Sequence, residues 1–324
     1  MNSTRKIVCI GEAIVDFVST QPGTSIGASP GFVKCAGGAA ANVSAGLAKL
    51  GSKAAFVGAV GDDAFGRFAA GELRALGVDV SGIRFDPGHG TRLAFVSLSR
   101  SGERTFEFWE RNPADRHLRR SDIRMQQLTR AAIVHISSFV LISDASRRTA
   151  MGLARELRRS GCEVSFDPNL RLSLWDSPLA ARRVLNGIIR HCTILRLNEE
   201  EATFLTGHRD PAEAAKSLLE AGPSLVVVTR GRQGCVALTR HAEVRAPGHR
   251  VRVSDTTGCG DAFMAALLDG IARLGTSDPE PAALRKLCIR ANAAAALTAT
   301  KTGVIGALPS SNEVNRFLKT KIDP

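Results

Sequence analysis

Residues 255–263 read DTTGCGDAF and run directly into an apolar stretch at residues 264–274. Two glycines, Gly258 and Gly260, at the start of a helix let backbone amides converge where N–H groups lack partners and the dipole is positive, a setting that favours a phosphate. A carboxylate at Asp261 does not suit a plain anion site. It suits a reaction in which Asp261 accepts a proton from a hydroxyl while adjacent amides carry charge building on a transferring phosphoryl group. The structural alternative is that Asp261 only caps the helix and the glycines only turn the chain. A dinucleotide fingerprint is excluded, because its third glycine is replaced by Phe263.

A second glycine-rich element, Gly37 and Gly38 followed by Ala39, Ala40, Ala41 and Asn42, opens another helical pattern. Paired glycines admit close backbone approach, and Asn42 one turn further on offers both a donor and an acceptor to a polyol. Small residues at a helix start also serve packing alone. Upstream, residues 11–16 (GEAIVD) end the first strand with Asp16, at the sheet edge where α/β proteins tend to bind ligands. Other chemistries are absent from the sequence. Residues 46–53 read GLAKLGSK, which lacks the order of a Walker-type P-loop, and neither a G-x-S-x-G elbow nor a zinc-protease histidine pair occurs. His135, alone in an apolar strand, reads as a core residue.

The elements that must position these residues alternate along the chain. Apolar, β-branched runs at residues 6–10, 54–60, 133–137, 163–167, 194–197 and 225–229 lie between helical patterns, the signature of a parallel sheet covered on both faces. Helices are expected at residues 38–50, 64–76 and 143–160, stopping at Gly51, Gly77 and Gly161 as left-handed caps. Residues 260–274, 282–300 and 311–320 supply the last three. Two segments break the rhythm: a Gly/Ser/Pro-rich stretch at residues 17–35, and two β-like runs, LAFVSLS and RTFEFWE, joined by a turn at residues 100–103. These form a small β appendage on one edge of the sheet.

The 324 residues, 44% hydrophobic and 23% charged, suffice for a sizeable core, and no apolar run reaches membrane-spanning length. A cytoplasmic location without membrane contact is expected. Seven scattered cysteines, with no paired spacing, read as reduced thiols and not as a zinc site or disulfide framework. The net charge of +12 raises nucleic acid as a partner. The arginines at 116, 119, 120 and 124 and at 147, 148, 155, 158 and 159 read better as solvated helix faces, and a basic cleft that attracts a phosphorylated cofactor explains the balance without nucleic acid.

Taken together, DTTGCGDAF, GGAAAN at residues 37–42 and VGAVGDDAFG at residues 57–66 resemble the ribokinase-like phosphofructokinase B family of carbohydrate kinases over essentially the whole chain. The resemblance implies an α/β fold, a ribokinase-like three-layer α/β/α arrangement with a central mostly parallel sheet and a small β lid. It implies one kinase domain over 1–324, with lid segments at about 13–36 and 88–115. It makes Asp261 the catalytic base and Thr257, Gly258, Cys259 and Gly260 the anion hole, with Cys259 where alanine is commoner. Asp16, Gly37, Gly38, Asn42, Arg111 and Arg171 then fall on the sugar side. Asn198, Glu201, Thr229, Gly231 and Asn292 fall on the ATP side, with Glu201 holding magnesium through water. Asp255 and the Thr257 carbonyl are implied ligands of a monovalent cation, potassium. DPNLR at residues 167–171 with Trp175, and residues 106–115, are similar to fructokinases, although kinases of 2-keto-3-deoxygluconate share much of that pattern. A homodimer through the lid is a further expectation. A non-catalytic sugar or nucleotide sensor on the same fold is the rival, disfavoured by the intact Asp261 and GCG loop.

Overall fold

Runs of β-branched and aliphatic residues form strands because their side chains pack on a pleated surface, and a sheet buried on both faces needs such residues in both phases. The computed structural model describes residues 6–98, 104–109 and 112–320. The chain opens with β1 (Ile7–Ile10), β2 (Ile14–Ser19), β3 (Phe32–Gly37) and α1 (Ala39–Lys49). Next come β4 (Ala54–Gly61), α2 (Ala64–Ala75), β5 (Asp79–Asp86), β6 (Leu93–Leu98) and β7 (Arg104–Phe108). They are followed by α3 (Met125–Thr129), β8 (Ile133–Ser137), α4 (Asp144–Arg159), β9 (Glu163–Asp167) and α5 (Pro178–Ile189). β10 (Ile194–Asn198), α6 (Glu199–Thr206), α7 (Pro211–Glu220), β11 (Leu225–Thr229), β12 (Cys235–Thr239) and β13 (Glu243–Ala246) continue the alternation. Three helices, α8 (Cys259–Leu274), α9 (Pro281–Ala299) and α10 (Ser311–Thr320), close it.

The large sheet has the order β13-β12-β11-β10-β9-β8-β1-β4-β5. From β11 to β5 every pairing is parallel; at the other edge the β11–β12 and β12–β13 pairings are antiparallel, so β12 alone runs against the rest. Alternate residues feed two cores. Ile7, Cys9, Ile194, Leu225 and Val227 face one, filled by α1, α8 and α9. Val8, Ile10, Leu195, Leu197, Val226 and Val228 face the other, filled by α4, α5 and α7. This is the expected ribokinase-like three-layer α/β/α arrangement. Gly51, Gly77 and Gly161 have φ of 90°, 85° and 73°, the left-handed stops that the helical patterns called for.

The β appendage is not an extension of that sheet's edge. β3, β2, β6 and β7 form a second, four-stranded sheet in that order, with β2–β6 parallel and the outer pairs antiparallel. It leaves the large sheet after β1 and after β5, so it stands over the end of the strands where their chains emerge. The turn expected at residues 100–103 lies outside the described residues. Among the described residues no helix is long and apolar enough to cross a membrane. His135 is fully buried, with Nδ1 3.1 Å from Ser165 Oγ, and burial pushes its pKa down to about 4.

Candidate active site

Two helices bring the central pair of residues together. Asn42 lies on α1 one turn before Gly46, and Asp261 lies on α8 one turn before Ala265. A Cβ on Gly46 would stand 2.7 Å from the Ala265 Cβ, so the missing side chain lets the two helices touch. One turn towards their N-termini the same faces place Asn42 Nδ2 within 2.8 Å of Asp261 Oδ2, to which it donates. Asn42 Oδ1 is buried and has no hydrogen-bond partner among the described residues. Burial raises the Asp261 pKa to about 6 and Asp167 adds to the rise, while the Asn42 hydrogen bond, Arg196 and Arg171 oppose it.

The loop before Asp261 is built as an amide cradle. Gly258 is the N-cap of α8 at φ 74°, a left-handed position that glycine adopts without strain, and a Cβ there would also meet Val304 at 2.8 Å. Asp261 therefore lies three residues inside the helix, and the cap is Gly258. Asp255 is buried and fixes the loop from below: its Oδ1 accepts from Thr257 N at 2.9 Å and its Oδ2 from Gly303 N at 3.0 Å. One carboxylate thus ties the residue 256–258 turn to the loop that follows α9.

These residues open on a cavity of about 740 Å³ whose walls include Asp16, Gly38, Asn42, Arg171, Asn198, Thr257, Gly258, Gly260 and Asp261. Its volume suits a small ligand together with part of a second one. Phe106 and Phe108 of the lid, with Phe139, form an apolar wall. Gly37 sits just outside the lining, where a Cβ would clash with the Asp16 carboxylate. Glu12 joins α1 to the large sheet: its Oε1 accepts from Ala39 N at 2.5 Å and its Oε2 from Ser137 Oγ, and burial lifts its pKa to about 7.

The remaining candidates are less central. Glu201 is buried and does not line the cavity. Its Oε2 accepts from Asn198 N at 2.9 Å while Asn198 Oδ1 accepts from Glu201 N at 2.8 Å, a capping box at the start of α6, and its Oε1 accepts from Leu170 N at 2.7 Å. Burial and Asp167 raise the Glu201 pKa, against Arg196. Thr229, Gly231 and Asn292 lie outside the lining; Asn292 Nδ2 donates to the carbonyls of Pro247 and Ala246 at 3.0 and 3.3 Å. Arg111 falls outside the described residues. Among the described residues no cluster of three or more His, Cys, Asp or Glu side chains could hold a metal ion.

Arg196 is a wall residue that the motif reading missed. Its signal in the sequence is a lone cation inside the apolar strand ILRLN. Asn169, the single non-glycine residue with positive φ among those described, at 36°, lines the cavity as well. It follows Asp167, whose Oδ1 accepts from Asn169 N at 3.0 Å.

A parallel α/β sheet under a β lid, with a carboxylate set into an amide-rich helix start beside a polar cavity, defines a phosphoryl-transferring kinase that acts on a small hydroxylated molecule. A model of the pfkB family of carbohydrate kinases matches residues 4–311, and the chain belongs to that family. Probable fructokinase-7 of Arabidopsis thaliana is 40% identical over 322 residues, covering 98% of this chain and 94% of that protein. Fructokinase-2 of Solanum lycopersicum is 38% identical over 319 residues, covering 98% and 97%. Among solved structures, a fructokinase from Xylella fastidiosa with bound ATP matches with a TM-score of 0.90 and 30% identity over 99% of this chain and 100% of that one. A double mutant of Vibrio cholerae fructokinase with fructose, ADP and potassium bound matches with a TM-score of 0.89 and 32% identity, covering 98% and 99%.

Proposed function

We propose that this carbohydrate kinase is an ATP-dependent fructokinase that phosphorylates the 6-hydroxyl of fructose, with Asp261 as general base. The observation that carries the reading is the Asn42–Asp261 hydrogen bond at the amide-rich start of α8, inside the cavity. Asn42 holds Oδ2 of Asp261, which leaves Oδ1 to take the hydroxyl proton, and the buried Oδ1 of Asn42 is an acceptor for a second sugar hydroxyl. Asp16 is a further acceptor on the lid side. The amides from Gly258 to Gly260, Cys259 included, face charge that develops as the phosphoryl group moves, at the positive end of the α8 dipole. Phe106 and Phe108 exclude water from the sugar.

When bound, ATP supplies the phosphoryl group and magnesium neutralises its terminal oxygens. Glu201, with both carboxylate oxygens on backbone amides, fits contact with such an ion through water only, which leaves the nucleotide phosphates as its main ligands. Asn198 borders the cavity and suits the phosphates; Thr229 and Gly231 at the end of β11, and Asn292 on α9, suit the rest of the nucleotide. Asp255 holds together two loops whose carbonyls, with that of Thr257, suit a potassium ion. The buried cysteines Cys9, Cys192, Cys235 and Cys288, none of them in a disulfide, fit a reducing cytoplasm. At the margins of the lid Val33 is 56% and Trp109 67% exposed, apolar side chains suited to pairing of two lids in a homodimer.

The test is ADP release coupled to a panel of sugars. Fructose is expected to give the highest kcat/KM, because Asp16 would repel an acidic substrate. Arg171 also lines the cavity, so a highest value for 2-keto-3-deoxygluconate would replace the sugar and leave the kinase in place. ADP release that no sugar stimulates would overturn both.

A further inference from the structure

Arg196 stands in the middle of three parallel strands. It lies on β10, directly between β9, which ends at Asp167, and β11, which ends at Thr229. Its Nη1 donates to Asp167 Oδ2 at 2.9 Å and its Nη2 to Thr229 Oγ1 at 2.7 Å, so the guanidinium is clamped from both sides. The side chain is 12% exposed, and that exposed part lines the cavity. It reaches the start of α8: a Cβ on Gly260 would stand 2.7 Å from Nη1, so this glycine is where the amide cradle and the guanidinium meet. Nε is buried with no hydrogen-bond partner among the described residues. The two bonds leave most of its N–H groups unspent.

The charges around it set the problem. Asp167, Glu201 and Asp261 all lie within electrostatic reach of Arg196 and strengthen its hold on its proton. One cation fixed among three carboxylates serves either to neutralise them or to make room for an incoming anion. Neutralisation alone does not require the guanidinium to border the cavity or Gly260 to be bare beside it. A rigid, delocalised fork, pre-positioned by two strands next to backbone amides, is the arrangement that recognises phosphate oxygens.

We propose that Arg196 is a catalytic residue of the phosphoryl transfer, donating from its free N–H groups to the terminal phosphoryl group of ATP beside the Gly258 to Gly260 amides. The proposal rests on the ATP-dependent kinase reading. It assigns the contact to the γ-phosphoryl group and none to ADP.

The experiment measures ATP and ADP affinity by calorimetry, without turnover, in the full chain. R196M alone would strand the Asp167 carboxylate, which is 6% exposed, and could fail to fold. The informative variant is therefore R196M/D167N, which removes one cation and one anion and leaves the net charge unchanged. Loss of one charge-assisted contact predicts that the preference for ATP over ADP falls about tenfold to a hundredfold, with ADP affinity held within about twofold. R196K should retain part of the preference, and kcat in the double variant should fall far more than fructose KM changes. An unchanged ATP-to-ADP ratio in the double variant would overturn the proposal, as would parallel loss of both affinities. Failure of the kinase reading is separate: the unsubstituted protein would then bind neither nucleotide nor release ADP with any sugar.

Discussion

Asp261 sits in the first turn of α8, where the helix dipole favours its ionised form, yet burial and Asp167 lift its pKa to about 6. A base must be ionised to accept a proton, so kcat/KM for fructose should fall as pH drops below about 6, and an activity profile between pH 5 and 8 would reveal it. Asp261→Asn should reduce kcat by about two to four orders of magnitude while sugar binding persists, which equilibrium binding checks. The same raised pKa has a stability consequence of fixed sign. The stabilisation it brings is complete below the unfolded carboxylate value and is lost as pH rises through about 6. At pH 8 the neutral Asn escapes that loss, so the variant should melt above the unsubstituted protein, with the difference closing near pH ~4. The motif GCGD made this carboxylate legible, because glycine and aspartate at a helix start are unusual for packing alone. Arg196 was not legible in the same way: inside ILRLN it looks like an interruption, and only the pairing of β9, β10 and β11 shows Asp167 and Thr229 waiting on either side.

Helix placement converts sequence spacing into a site. Asn42 and Gly46 are four residues apart on α1, as are Asp261 and Ala265 on α8, so a contact at the second pair governs the distance at the first. Gly46→Val should force α1 from α8, lose the Asn42–Asp261 bond and lower kcat/KM for fructose by at least tenfold, together with melting temperature. Gly152→Ala provides the contrast. Gly152 is inside α4 with nothing within 4 Å of a Cβ, so the substitution should stabilise by about 0.5–1 kcal/mol and leave kinetics unchanged. Denaturant unfolding of the two variants should give shifts of opposite sign. The parallel strands and glycine-stopped helices could be read from sequence because each is a long or strongly apolar pattern. The antiparallel β12–β13 pair and β5 could not: CVALT and EVRA are brief, and DVSGIRFD is interrupted by Gly82 and charged at both ends. The lid's independence from the large sheet is likewise a matter of pairing partners, which composition does not encode.

The whole molecule carries a formal net charge of +12, yet the cavity it surrounds mixes both signs, with Arg171 and Arg196 facing Glu12, Asp16 and Asp261. The positive excess therefore belongs to the surface as a whole, and its effect on a ligand scales with the ligand's charge. ATP is a polyanion and fructose is neutral. Long-range attraction should speed ATP's approach and do nothing for the sugar, and salt should screen it once the Debye length shrinks to about 8 Å or less. Raising ionic strength from about 0.03 to 0.3 M should lower kcat/KM for ATP several-fold while kcat/KM for fructose, measured at saturating ATP, stays within about twofold. The titrated salt should be tetramethylammonium chloride over a fixed, saturating potassium concentration, so that occupancy of the site suggested by Asp255 does not vary with screening. A fall in both parameters together would mean that salt acts on the fold or the lid. No fall in either would mean that the basic residues lie too far from the nucleotide's path to steer it.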